Sequence, residues 1–360
     1  VAGTRGKSGV VRLVAAGLRE AGFRVLAKTT GSKPALILPD GSEEEIPRAG
    51  SPSIREQIRL VRRAADEGVG ALVVETMSIG GECLLAESRR ILRPGVLALT
   101  NVRLDHLDAM GRSREEIART LADAIPEGAS VFIPVEEFRP VFEEAAKRLG
   151  SAVFPAKEKV PPGVRLLGEE FEPNIRLALA LLESLGVGRE RALRGMSRAA
   201  PDFGALRIWE VPAGLPPRRA VCASAFAAND PESSAAVLKR IGEIVPAGPN
   251  SLVGLLSLRE DRGDRTLQWL GAAAGGFFRD FDRVAVLGRP VRAAARRLKR
   301  ILGPDFGKFS FFADPEPARL MDLLTASAAR EPLVIGLGNI AGPGERFVRY
   351  WEEKGKPYGR

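Results

Sequence analysis

Two glycines, a lysine and a serine open the chain as Gly3-Thr4-Arg5-Gly6-Lys7-Ser8, followed by Gly9 and the helical apolar pattern Val10, Val11, Val14, Leu18. Glycines let a backbone approach phosphate oxygens with no side chain in the way, and a helix start presents unpaired N–H groups at its positive end. Lys7 at that place reaches the outer phosphates of a nucleotide, and the Ser8 hydroxyl is a ligand for Mg2+. The common eight-residue form of such a loop needs glycine where Val1 stands, so this is a shorter variant. An ordinary glycine-rich turn before a helix is the alternative it leaves open.

A second group, Thr100-Asn101-Val102-Arg103-Leu104-Asp105-His106-Leu107-Asp108, follows an apolar run and holds the single histidine of the chain. Polar residues gathered where a buried strand ends lie where a sheet opens to ligand. His106 can take Mg2+ or a phosphate oxygen, with Asp105 orienting its ring; a histidine that only satisfies local backbone groups is the other reading. Glu75 ends the apolar run Ala71-Leu72-Val73-Val74. A buried carboxylate there is costly unless it meets a metal or a base, although it can also cap a helix or pair with an arginine.

The elements that must position these residues alternate in type. Strand-like runs at 24–28, 71–75, 96–100 and 131–134 are separated by helical patterns at 54–67, 115–125 and 135–149. This alternation predicts an α/β fold with a doubly wound, mainly parallel sheet, whose ligands gather at the carboxyl ends of strands. A proline-rich, irregular stretch at 155–173 precedes a strong helix at 174–185, and a boundary signal stands at Ala200-Pro201-Asp202-Phe203-Gly204. A second alternation follows, with strands at 220–224, 251–258, 284–287 and 333–337. The reading is an ATP-binding domain over 1–200 and a smaller α/β domain over 201–360.

Length agrees, since 360 residues exceed the usual single domain. Lysine and arginine number 54 against 45 acidic residues, a net charge of +9. That balance suits an anionic surface, nucleotide phosphates, nucleic acid or an acidic substrate, and does not choose among them. Cys83 and Cys222 lie far apart, so neither a disulfide framework nor a zinc pattern is visible, and a reducing cytoplasmic environment is expected. No apolar run approaches the roughly 18 to 20 residues of a membrane span.

The order Gly-Thr-x-Gly-Lys-Ser, strand-end glutamate, then Thr-Asn-Val-x-x-Asp-His-Leu-Asp resembles the Mur ligase superfamily of ATP-dependent amide-forming enzymes. Arg5 within the loop, Ala27-Lys28-Thr29-Thr30-Gly31, Ile37-Leu38-Pro39-Asp40-Gly41, Ala225-Phe226-Ala227-Ala228-Asn229-Asp230-Pro231, Arg259-Glu260-Asp261-Arg262-Gly263-Asp264-Arg265 and Gly336-Leu337-Gly338-Asn339-Ile340-Ala341-Gly342 narrow the resemblance to the ligase subunit of poly-γ-glutamate synthase.

The resemblance implies ATP and Mg2+ as cofactors. Lys7, Glu75, His106 and Arg262 would be catalytic, and Ser8, Glu75 and His106 the metal ligands. The nucleotide would be held by Gly3, Thr4, Arg5, Gly6, Lys7, Ser8, Gly9, Asn101, Asn174, Asn229, Asp230, Arg259, Asp261 and Arg265. Asn174 resembles the family asparagine that contacts adenine, though a helix N-cap is equally open. The second domain would close over the active site with its arginines facing the cleft. Glutamate and a growing poly-γ-glutamate chain would be substrates, small membrane proteins partners, and a homo-oligomer possible; nucleic acid is not expected.

Departures from the pattern bound these expectations. Many Mur ligases hold a second metal with a carbamylated lysine, yet the matching helix reads Ile117-Ala118-Arg119-Thr120-Leu121-Ala122. The separate substrate domain of the peptidoglycan enzymes has no counterpart, which removes support for their amino-sugar nucleotide substrate. Only Val1 and Ala2 precede the loop, so a delivering strand is expected upstream, and the resemblance implies a hydrophobic segment ahead of it, placing the complete protein on the cytoplasmic face of the membrane. The rivals are a folylpolyglutamate- or Mur-type ligase adding single residues, and a nucleotide-switch binding module.

Overall fold

The computed structural model describes residues 1–359 apart from 32, 49–51, 158, 162, 163, 165, 167–169, 215–217, 247–250 and 327–330. It divides into two compact units, Val1–Phe203 and Gly204–Arg360, three residues beyond the boundary expected from sequence.

In the first unit, β1 (Val25–Lys28), β2 (Ala35–Ile37), β3 (Glu43–Glu45) and β4 (Ala71–Val74) form a sheet in the order β3-β2-β1-β4. A second sheet runs β5 (Val96–Ala98), β6 (Ser130–Pro134), β7 (Ala152–Ala156), all parallel. Val1 and Ala2 lie between them: the Val1 nitrogen donates to Val74 O at 2.7 Å and Thr76 N to Val1 O at 2.9 Å. On the other side Ala2 N donates to Ala98 O at 2.7 Å and Thr100 N to Ala2 O at 2.9 Å. Two residues thus join the halves into one array and deliver the glycine loop to its carboxyl edge.

The helix Lys7–Glu20 is buried from Val10 to Leu18 and packs on helices Glu172–Ser184 and Arg189–Ser197. Backbones touch there: a Cβ added to Gly195 would lie 2.5 Å from Ala16 O. Even Arg12 on this helix is buried, and it pairs with Glu43 and, at 3.5 Å, with Asp202. Arg12→Ala, which removes this guanidinium from both carboxylates, should lower the unfolding free energy by about 2 kcal/mol. A denaturant midpoint equal to that of the parent would show the cluster to be solvated instead.

The 135–149 helix differs from expectation. Val135–Glu137 is a single 3-10 turn and the α-helix is Pro140–Arg148, because proline takes the first-turn position where its missing N–H is harmless.

The second unit holds one sheet of β8 (Arg207–Ala213), β9 (Arg218–Ser224), β10 (Ser251–Ser257), β11 (Arg283–Leu287), β12 (Phe309–Phe312), β13 (Pro332–Gly338) and β14 (Lys356–Pro357), ordered β12-β11-β10-β13-β9-β8-β14. From β12 to β9 the strands are parallel, with β8 and β14 as an antiparallel edge. The carboxyl ends of β9, β10 and β13 therefore share one edge. Trp269, Phe278 and Phe281 anchor an aromatic core beneath it. Among the described residues no helix is long and apolar enough to cross a membrane.

Candidate active site

The loop is shaped by residues that forbid side chains. Gly3 has φ +126°, and a Cβ there would lie 2.1 Å from Thr100 Oγ1; Gly6 has φ +77°, and its Cβ would lie 2.4 Å from the Asn174 amide. Both positions thus require glycine. Asn101 clamps the loop from the neighbouring strand end. Its Oδ1 accepts from Thr4 Oγ1 at 2.7 Å and Arg5 N at 3.0 Å, and its Nδ2 donates to Arg5 O at 3.1 Å. Lys7 Nζ donates to Gly3 O at 2.9 Å, which holds the ammonium over the loop.

Ser8 and Glu75 meet: Ser8 Oγ donates to Glu75 Oε2 at 2.7 Å, and Thr30 N donates to the same oxygen at 2.8 Å. A hydroxyl beside a carboxylate is a hard-oxygen donor set that fits Mg2+, which is usually held by one or two carboxylates with phosphates and water. Behind it, Gln57 Nε2 donates to Glu75 O at 3.3 Å and to Glu87 at 2.6 Å, and Gln57 Oε1 accepts from buried Lys28 Nζ at 3.1 Å. This network fixes the end of β4.

Asp105 links the other residues. Its carboxylate lies 3.3 Å from the Arg5 guanidinium and 3.7 Å from His106 Nε2, and it accepts from His106 N at 3.0 Å. His106 is itself left-handed, with φ +47°. Of the three expected metal ligands, Ser8 pairs with Glu75, and His106 stands beside Asp105. Arg119, in the helix that lacks the lysine, is exposed and pairs with Glu115 at 3.4 Å.

Sequence reasoning missed two carboxylates. Buried Glu137 accepts from Val102 N at 3.3 Å and pairs with Arg103, holding the segment after Asn101. Glu170 accepts from Asn174 Nδ2 at 2.7 Å, and a Cβ on Gly9 would fall 2.1 Å from its Oε2. Asn174 stands inside its helix and presses on Gly6, so the simple N-cap reading gives way to a contact with the loop.

The Glu170 carboxyl is enclosed although the rest of the residue is half-buried. Desolvation, aided by Asp202, pushes it from 4.5 up to about 7. The folded chain then holds a proton that the unfolded chain has lost, so stability falls as pH rises from about 4.5 to 7. Glu170→Gln should match the parent near pH 4, below the unfolded pKa, and exceed it by about 1 to 3 kcal/mol at pH 8. Denaturant midpoints at the two pH values read this directly; a parent and variant that track each other would contradict it.

In the second unit the expected residues do follow neighbouring strand ends. Asp230 caps the next helix by accepting from Ser233 N at 2.8 Å, and Asn229, left-handed at φ +49°, accepts from Trp269 Nε1 at 2.9 Å. Arg259 forks onto Asp261 at 2.8 and 2.6 Å. Arg265 is buried and donates to Asn339 at 3.2 Å, tying a helix to β13. Arg262 stands at the start of helix Gly263–Ala274.

Two family models match this chain: the Mur ligase middle domain over residues 1–153 and the poly-γ-glutamate synthase CapB C-terminal domain over 213–354. PGA synthase CapB of Bacillus subtilis (strain 168) is 34% identical over 272 residues, covering 74% of this chain and 68% of that protein. The chain belongs to the poly-γ-glutamate synthase CapB family. With that family it joins the ATP-dependent, amide-forming ligases of Mur type. The capsule biosynthesis protein CapB of Bacillus anthracis is 33% identical over 279 residues, and the chain spans 58% of its length. Among solved structures, E. coli FolC in complex with DHPP and ADP superposes with TM-score 0.68 at 16% identity, over 98% of this chain and 86% of that one. A bifunctional folylpolyglutamate synthase/dihydrofolate synthase with Mn, AMPPNP and L-glutamate gives 0.65 at 17% identity, over 98% and 88%. These two share the fold.

Proposed function

We propose that this protein polymerises glutamate through γ-carboxyl amide linkages, using ATP and a divalent cation. The observation that carries the reading is the Ser8–Glu75 pair beside a clamped phosphate loop, in a chain whose CapB relatives are named for polymer and capsule synthesis. ATP supplies the γ-phosphoryl group, and Mg2+ spreads its charge. A chain-end carboxylate oxygen takes that phosphoryl group, giving an acyl phosphate and ADP. The amine of the next glutamate attacks the acyl carbon, the C–N bond forms, inorganic phosphate leaves, and the ammonium proton passes to solvent.

Lys7 and the loop N–H groups hold phosphate oxygens, while Ser8 and Glu75 would hold the cation, with His106 as the further ligand. Asn101 and Asp105 are positioning residues, acting through the loop and through Arg5 and His106. Arg262 offers positive charge at the start of helix Gly263–Ala274. Work of this kind is electrostatic preorganisation more than covalent chemistry. Glutamate is the substrate, and small membrane proteins are the partners, at the cytoplasmic face of the membrane.

Purified protein, with its membrane partners co-expressed, should release ADP only when glutamate is present and should yield long γ-linked chains. Products limited to one added residue would favour single-residue ligation; ADP release driven by nucleic acid and indifferent to glutamate would defeat the ligase reading.

A further inference from the structure

Glu170 takes no part in phosphoryl transfer, yet its carboxyl lies against the start of the loop helix. Buried Asp105 and Glu137 each stand beside a guanidinium, Arg5 and Arg103. Among the described residues the Glu170 carboxyl has no such cation; its Oε1 accepts from Asn174 Nδ2 at 2.7 Å and from Phe171 N at 3.0 Å. An enclosed carboxyl without a cation destabilises the fold in a way that glutamine or leucine would not.

Gly6 and Gly9 stand one turn apart at the start of helix Lys7–Glu20 and so share a face. A Cβ on Gly6 would lie 2.4 Å from Asn174 Nδ2, and one on Gly9 would lie 2.1 Å from Glu170 Oε2. The hydrogen-bonded pair Glu170–Asn174 therefore presses on both glycines at once. The first rung of the helix is Val10 N to Gly6 O at 3.0 Å, so the N–H groups of Lys7, Ser8 and Gly9 have no partner within the helix. Those are the donors that phosphate takes, and the backbone from Gly6 to Gly9 aims them.

Any acceptor at position 170, whether a neutral carboxyl or a primary amide, can hold the Asn174 amide in place. A carboxylate would also bring negative charge to a turn that has to receive phosphate. The groups around it do little to offset that charge. Asp202 faces it with the same sign, Arg12 is paired with Asp202 at 3.5 Å, and Lys7 Nζ is turned to Gly3 O. On its own helix Glu172 and Arg176 pair with each other at 3.8 Å.

We propose that Glu170 is a positioning residue for the nucleotide, bracing Asn174 and the Gly6–Gly9 turn so that the loop N–H groups meet the phosphates. The neutral carboxyl does this without opposing the ligand. Ionisation at about pH 7 works against the phosphates, so nucleotide binding is coupled to proton uptake at Glu170. The proposal rests on the glycine loop being the nucleotide site.

Titration calorimetry of MgADP into the full chain at pH 6 and pH 8 tests it, with the parent, Glu170→Leu, Glu170→Gln and Lys7→Ala. Glu170→Leu fills the space but accepts nothing from Asn174, and should bind MgADP about tenfold more weakly than the parent at pH 6. Glu170→Gln keeps the acceptor; it should match the parent at pH 6 and bind about fivefold more tightly than the parent at pH 8. Comparing the two proteins at each pH cancels the nucleotide's own ionisation. A side chain that only supports the fold would move denaturant midpoints and leave that ratio the same at both pH values. Such a constant ratio, or Glu170→Leu binding like the parent, would overturn the proposal. If Lys7→Ala weakens binding while the Glu170 variants do not, the positioning role alone is lost. Parental binding by Lys7→Ala would take the nucleotide away from the loop, and the proposal with it. Should Glu170→Leu fold poorly, the ratio of Glu170→Gln to parent decides: a change between pH 6 and pH 8 supports the proposal, and a constant value refutes it.

Discussion

Replacing Lys7 by alanine should reduce ADP formation by roughly 10²–10³-fold or more, the scale of losing a preorganised charge from a phosphoryl-transfer site. The fold should survive, because the side chain is half-buried and its contacts are loop carbonyls, Gly3 O at 2.9 Å and Thr4 O at 3.5 Å. Alanine is also a better helix former than lysine at the start of Lys7–Glu20. Steady-state ADP release and circular dichroism on the same sample separate the two effects. A well-folded variant with parental turnover would remove Lys7 from the site.

Glu75→Gln should raise the Mg2+ concentration for half-maximal activity by about tenfold or more, the scale of disturbing a ligand set. The variant keeps an oxygen able to accept from Ser8 Oγ and Thr30 N, as Glu75 Oε2 does at 2.7 and 2.8 Å, but lacks the charge. Nucleotide binding without metal should change little. His106→Ala should move the same midpoint in the same direction if the imidazole reaches the cation. A midpoint moved by Glu75→Gln alone would leave His106 the task of orienting Asp105 and Arg5.

The glycine loop was legible because its physics is local: φ values of +126° and +77° call for glycine at Gly3 and Gly6. The parallel strands were legible as apolar runs, and their carboxyl ends fell where Glu75 and Asn101 stand. The hairpin strand Glu43–Glu45 was not, since three exposed glutamates are poor strand formers. Long-range partners hold it: Arg12 for Glu43, Arg63 for Glu44, Lys33 for Glu45. The strand Ala152–Ala156 escaped notice beside the irregular proline-rich stretch, and β8 pairs antiparallel with β9, a choice made by tertiary context.

Within the site, Asn101 announced itself by type, while its three contacts with Thr4 and Arg5 span 96 or 97 residues and exist only in the fold. Glu170 carried no local signal, because its raised pKa comes from burial against residues far off in sequence. Arg265 behaves like Asn101. Its arginine-rich strand-end segment stood out in sequence, while its hydrogen bond to Asn339 spans 74 residues and exists only in the fold.

Oxygen transfer from glutamate to phosphate tests the central claim most directly. With γ-carboxyl groups labelled by oxygen-18, each amide bond formed through an acyl phosphate must carry one labelled oxygen into the inorganic phosphate released. The account predicts one labelled phosphate per γ-linkage, with ADP as the only nucleotide product. Polymer formed with unlabelled phosphate, or with AMP and pyrophosphate released, would contradict it.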